Sequence, residues 1–358
     1  MVMDETIAMM RELTEAPGIP GYEEPVREVM RRYLEPLGEI MTDNLGGIAA
    51  RKVGQASGPK IMLGGHMDEI GFMVTRITDE GFLKFQTLGG WWEQVMLAQR
   101  VEVYTRTGPI IGVTGSKPPH IIPLEERKKP IDKKDMFIDI GAASRAEAEA
   151  WGVRPGDPVV PICPFTAMHN EKLLMAKAWD NRLGCALAIE TLRQLQGQAH
   201  PNIVDAVGTV QEEVGLRGAG TMANVLTPDI GLILETGIAG DMPGVTPDEA
   251  ECKLGQGPVV LLYDSTMIPH VGLRNLVIDT AADENIPIQF DRMPGGGTDA
   301  GRVHIFRAGV PSLVIGSPVR YIHTHAGIVH RDDFDLTVKL LVAVIKRLDA
   351  ETVQQLHR

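Results

Sequence analysis

Between residues 69 and 165 the chain holds almost nothing that reads as helix, and this gap constrains the fold more than any other feature. The segments IGFMVTRI, GFLKFQTL, RVEVYTRTG, IIGVTG, MFIDIG and DPVVPI are short and β-rich, and Gly, Pro or Asp turns divide them. Only 144–151 has helical character. Such a run predicts a small β-barrel or sandwich. On either side, strands and helices alternate. Residues 4–16 carry apolar side chains at helical spacing behind an acid, and a second helix is expected over about 23–37. The run Lys60-Ile61-Met62-Leu63 reads as a buried strand ending in Gly64-Gly65. After Lys172 come a strong helix over 180–196, strands over 203–210, 230–234, 259–263, 287–290 and 312–315, and an amphipathic helix over 332–348. This alternation predicts the α/β class: a mostly parallel sheet sandwiched by helices. The expected division is one α/β domain built from 1–68 and 166–358, interrupted by a β-rich domain at 69–165.

Sheets of this kind gather their chemistry at the carboxyl ends of the strands, and the ionisable residues fall there. His66 and Asp68 follow the strand at 61–63 two residues apart, a spacing that puts both on one face of an extended chain. That suits a metal-ligating imidazole with a carboxylate to orient it, although an isolated pair fits a hydrogen-bonded turn as well. Glu212 and Glu213 end the strand at 203–210. Adjacent carboxylates repel unless a cation or a shared proton neutralises one; one would ligate a metal and the other move protons. A lone Glu-Glu pair is more often a solvated loop. Asp180 opens the helix at 180–196, where an N-cap needs only one acceptor oxygen but a carboxylate can also bridge two cations. Glu235 ends the strand at 230–234, and His323 follows the apolar run SLVIGSPV. Together these residues form a mixed nitrogen and oxygen set that suits zinc, cobalt or manganese better than calcium or magnesium.

Composition narrows the partners. A formal net charge of −12 argues against nucleic acid, and no apolar run is long enough to span a bilayer. The first residues are acidic where a secretory signal needs a basic start. Cys163, Cys185 and Cys252 match no zinc-binding spacing and fit a reducing compartment. The expectation is a cytoplasmic protein acting on a small molecule or peptide.

The runs Gly64-Gly65-His66-Met67-Asp68-Glu69-Ile70-Gly71-Phe72, AWDNRLG (178–184), VQEEVGLRGA (210–219), GIAGDMPG (237–244), GGGTDAG (295–301) and RYIHTH (320–325) span the chain in order. They resemble the deblocking, or glutamyl, aminopeptidase family, whose tetrahedral aminopeptidases are the best-known members. The resemblance implies a metallopeptidase-like α/β domain interrupted by a β-rich dimerisation domain, and many members assemble into hollow tetrahedral dodecamers. It implies two divalent metals per subunit, zinc or cobalt before manganese. His66, Asp180 and Glu235 would hold one, and Asp180, Glu213 and His323 the other, with Asp180 bridging. Glu212 matches the general base and Asp68 the residue that supports His66. The implied reaction is removal of N-terminal residues from short peptides. One position departs from the pattern: the family usually has Asp where this chain has Glu235, and Asp241 is the fallback ligand.

Other residues carry weaker signals. His120 sits in a Pro-Pro-His loop of the inserted domain and reads as a surface histidine, although a neighbouring subunit could present it to a substrate. His325 and His330 would overfill the centre and read as structural or substrate-proximal. Trp91-Trp92 suits packing or an interface. The loop Gly295-Gly296-Gly297 lacks the lysine of a phosphate-binding loop, and Asp299 is expected to start a helix. Two rival functions stay open: another amide hydrolase on the same centre, of deacylase or carboxypeptidase type, and a catalytically dead binding or assembly protein. Some relatives have been labelled endoglucanases, but glycoside hydrolysis ordinarily needs two carboxylates and no metal, so the histidines argue against that activity.

Overall fold

The structure is a computed structural model that describes residues 4–357. The chain opens with two helices. In α1 (Glu5–Glu15) the Asp4 carboxylate accepts the Ile7 N–H and satisfies one of the free amides of the first turn; α2 (Glu24–Leu34) has Pro25 in its first turn. Their apolar faces, Ile7, Met10, Leu13, Val26, Met30 and Leu34, bury in the main core. A hairpin of β1 (Glu39–Thr42) and β2 (Ile48–Val53) leads to β3 (Lys60–His66).

The helix-poor stretch forms a closed barrel. Its strands are β4 (Gly71–Ile77), β5 (Leu83–Leu88), β6 (Arg100–Thr105), β7 (Gly108–Gly115), β8 (Phe137–Asp139) and β9 (Pro158–Pro161), joined in the order β4-β5-β8-β7-β6-β9. Closure removes the exposed edges that six short strands would otherwise present. A short helix, α3 (Arg145–Ala150), lies between β8 and β9, and a core of its own, including Phe72, Val74, Leu83, Val101, Val103 and Ile138, fills the barrel.

The α/β layer then resumes: β10 (Thr166–Ala167), β11 (Leu173–Ala176), α4 (Trp179–Gln194), β12 (Ile203–Thr209), α5 (Arg217–Leu226), β13 (Ile230–Ile238), β14 (Val259–Asp264), α6 (Val271–Asp283), β15 (Gln289–Met293), α7 (Ala300–Val303), β16 (Ser312–Val319), β17 (Gly327–His330), α8 (Arg331–Arg347) and α9 (Ala350–Leu356). Eight strands make one sheet in the order β1-β2-β12-β3-β13-β16-β14-β15. The central four, β12-β3-β13-β16, are parallel; β2 runs antiparallel to β12, and β14 to β16. Burial follows this layout. Every residue of β3 after Lys60, and all of β12 and β16, are buried, as expected of strands covered on both faces. The helix α4 lies directly on β3. A Cβ added at Gly65 would stand 2.5 Å from the Gly184 carbonyl carbon and 2.6 Å from the Cys185 nitrogen. Strand and helix meet backbone to backbone, and this brings the residue after Gly65 against the start of α4.

Candidate metal centre

The seven expected site residues converge at the carboxyl end of that parallel centre. His66 closes β3, Glu212 and Glu213 lie just past β12, Glu235 is in β13, Asp180 is in the first turn of α4, and His323 is in the loop between β16 and β17. His66 Nε2 lies 3.2 Å from Asp180 Oδ1, 3.7 Å from Glu235 Oε1 and 3.8 Å from Glu212 Oε2. The other oxygen of Asp180, Oδ2, lies 3.1 Å from His323 Nε2, which is in turn 3.4 Å from Glu213 Oε1. Asp180 therefore stands between the two imidazoles with one oxygen turned to each.

Both rings are oriented from behind by a carbonyl. His66 Nδ1 faces Asp68 O at 3.0 Å, and His323 Nδ1 faces Gly90 O, on the barrel side of the site, at 2.8 Å. A carbonyl can only accept, so each Nδ1 carries the proton when the ring is neutral, and each Nε2 lone pair points into the cluster. Asp68 does more than its expected support of His66. Its Oδ1 accepts the Glu212 N–H and its Oδ2 the Glu213 N–H, both at 3.0 Å, so one buried carboxylate fixes the backbone of the glutamate pair.

Asp180 is not an N-cap. The N-cap of α4 is Ala178, Asp180 itself has the non-helical angles φ −83 and ψ 105, and Asn181 Oδ1 accepts the Gly184 N–H at 2.9 Å instead. Asn181 Nδ2 also donates to Leu234 O at 2.7 Å, next to Glu235. The asparagine does the local bonding and leaves both Asp180 oxygens free.

Sequence reasoning passed over Arg182. It is fully buried and donates to Met67 O, Leu13 O, Ala16 O, Gly18 O and Glu69 Oε1, tying the segment that follows His66 to the end of α1. Its signal was present: a lone arginine inside the apolar run of α4 must be paired if it is buried. The remaining expectations resolve as follows. Asp241 is held by Arg320, with Nε to Oδ1 at 2.8 Å and Nη2 to Oδ2 at 2.5 Å, and it belongs to neither group of clustered ligand atoms. Asp299 precedes α7 but makes no capping bond; it is buried, and its Oδ2 accepts the Thr209 hydroxyl. His330 caps α8, His120 is exposed, and His325 is buried against Trp91 with ring centroids 5.2 Å apart. Trp91 packs inside, whereas Trp92 is 57% exposed.

The electrostatics call for a cation. Burial, opposed by His66 and reinforced by Glu235, holds the Glu212 carboxyl well above the usual range, burial does the same to Glu235, and burial raises Glu213 as well. Burial disfavours charge on the imidazoles, yet the carboxylates outweigh it: His66 is raised well above its ordinary value and His323 is pushed up to about 11. Burial opposes charge on Asp180 too, but the two imidazoles hold it below the usual carboxylate range. In the protein alone, protons balance the cluster. Glu213 Oε1 and Glu235 Oε1 are buried and accept no hydrogen bond. Ligand atoms of His66, Asp180 and Glu213 lie within 4.8 Å of one another, as do those of His66, Glu212 and Glu235. Inward lone pairs, orphaned carboxylate oxygens and mixed donors fit divalent metal ions. The centre forms the inner end of a cleft of about 870 Å³, whose outer walls include Leu216, Ile238, Glu249, Arg292, Met293, the 295–297 glycines, Arg302 and Ile322.

Known proteins share this fold. The model of the M42 glutamyl aminopeptidases matches residues 46–340. The chain belongs to the M42 family. A glutamyl aminopeptidase of Lactococcus lactis is 36% identical over 98% of this chain and 99% of its own. Among solved structures, a TET aminopeptidase from a marine sediment archaeon of the Thaumarchaeota superposes with a TM-score of 0.97 at 48% identity, over 99% of both chains. A Pyrococcus horikoshii TET1 peptidase that can assemble into a tetrahedron or a large octahedral shell is 33% identical, with a TM-score of 0.86, over 96% of this chain and 100% of its own. This M42 chain is thus a peptide hydrolase. Among its described residues no helix is long and apolar enough to cross a membrane.

Proposed function

We propose that the chain removes N-terminal residues from short peptides at a two-metal centre, with Glu212 as the general base. The observation that carries this reading is Asp180, which presents one oxygen to His66 and the other to His323. His66, Asp180 and Glu235 would hold one ion, and Asp180, Glu213 and His323 the other. Two divalent ions bound there, zinc, cobalt or manganese by donor set, would supply polarisation of the scissile carbonyl and a more acidic water. Glu212, grouped with His66 and Glu235 at the inner end, is left outside both ligand sets in this reading and lines the cleft. It takes a proton from the attacking water and returns it to the leaving amine. The carboxylates at the inner end hold the substrate's free α-amino group, which limits the reaction to chain ends. The cleft's outer walls carry two guanidinium groups, Arg292 and Arg302, and one carboxylate, Glu249. Neither arginine is ion-paired within the described chain; each donates to a backbone carbonyl. This favours acidic first residues.

The barrel exposes Trp92, Ile111, Val113, Ile121 and Leu124, an apolar surface that suits pairing with a second copy, and the assemblies of the Pyrococcus relative support a larger shell. The test of the activity is release of amino acids from unblocked and Nα-acetylated peptides, before chelation, after chelation and after zinc, cobalt or manganese is restored. Release only from unblocked peptides, abolished by chelator, is expected, with acidic first residues fastest. Glu212→Gln should keep its metals and lose about 100-fold or more in kcat. Equal release from acetylated peptides would point to a deacylase instead.

A further inference from the structure

Three consecutive backbone N–H groups, those of Gln211 and of the glutamate pair after it, are all held by buried carboxylates. Asp68 takes Glu212 and Glu213. The third, Gln211, donates at 3.0 Å to Glu23 Oε1, from the far end of the sequence. The same oxygen accepts the Gly21 N–H at 2.8 Å. Glu23 is only 5% exposed and sits at the N-cap of α2, yet it makes no side-chain capping bond to that helix. Burial and the nearby charge of Asp68 push its carboxyl up to about 7. A buried acid beside another acid is costly to keep unless a particular contact needs it. What it contacts is the turn that delivers Glu212. Gln211 has φ 56, in the left-handed region that a non-glycine residue adopts only when held. The carbonyl side of the turn is closed as well: Gly215 and Leu216 donate to Glu212 O, and Arg217 to Gln211 O.

We propose that Glu23 is a positioning residue for Glu212: by fixing the Gln211 amide it sets the direction in which the proton-transferring carboxylate enters the cleft. The inference rests on the role given to Glu212 above. Supporting groups of this kind typically contribute about 10- to 100-fold in activity.

The test compares Glu23→Met, which keeps the volume but removes the acceptor, with Glu23→Gln, which keeps an acceptor oxygen, both in the full metal-loaded chain. In Glu23→Met, kcat on an unblocked peptide should fall about 10- to 100-fold, with KM within about two-fold and metal content unchanged. Hydrogen exchange at the Gln211 amide should quicken. Glu23→Gln should recover most of the kcat and of the protection. A purely packing role would lower the unfolding midpoint of Glu23→Met while leaving the kcat of the folded enzyme and the Gln211 amide unmoved, and that result overturns the proposal. So does a kcat loss matched by metal loss, or a Gln variant as slow as the Met variant. If the wild-type chain cleaves no peptide, the peptidase reading fails on that arm alone. The exchange measurement still decides whether Glu23 holds the turn.

Discussion

Asp180 serves both imidazoles because Asn181, not Asp180, bonds the start of α4. The proposed ligand sets then differ in a countable way. Glu235→Ala and His323→Ala should each retain about one metal of two, whereas Asp180→Ala should lose both, read by elemental analysis after dialysis. Equal losses in all three would argue against the bridge. Most of the proposed ligands stood out in the sequence because they follow an apolar run, and a run of strand length predicts where its last side chain goes; Asp180, at the start of α4, is the exception. The bonds around them were not legible. Asp68 meets Glu212, and Glu23 meets Gln211, across long sequence separations, and no local pattern encodes which amide a buried carboxylate will find. Arg182 is the intermediate case: its place in an apolar helix signalled a buried pairing, but not with which carbonyls.

At the scale of elements, the centre depends on how closely α4 lies on β3. A methyl at Gly65 would need the backbone of residues 184 and 185 to move, since no flexible side chain stands in its way. Gly65→Ala should cost about 1–3 kcal/mol or more in the metal-free chain, measured by denaturant unfolding, and should weaken metal binding by separating His66 from Asp180. An unchanged midpoint would mean that the helix can slide. The parallel centre, the barrel and the long helices were legible from periodicity and from turn residues. The hairpin of β1 and β2 was not. Its first strand is four residues long with no buried position, so it lacks the apolar signal that marks the others. The antiparallel turn of β14 against β16 depends on a tertiary path that local sequence does not specify.

For the molecule as a whole, the junction between barrel and sheet is an ionic one. Glu69, just before β4, takes both Lys177 and Arg182 at a site closed to solvent. Burial lowers the pKa of Lys177 while Glu69 raises it, so the carboxylate is what keeps the two cations tolerable there. Glu69→Gln should destabilise the fold by about 3–5 kcal/mol through two uncompensated buried charges, seen as a lower unfolding midpoint with and without metal. A neutral result would mean that water reaches the junction. The strand order carries a further consequence. Both sheet neighbours of β3, β12 and β13, are encoded after the barrel. During synthesis the barrel, a contiguous stretch, can close while β3 still waits without a partner on either side. His323, proposed for the second metal, is made later still, after β16. A growing chain of this protein is therefore a peptidase in waiting: the proposed centre is incomplete until β12, β13 and the loop after β16 have followed the barrel.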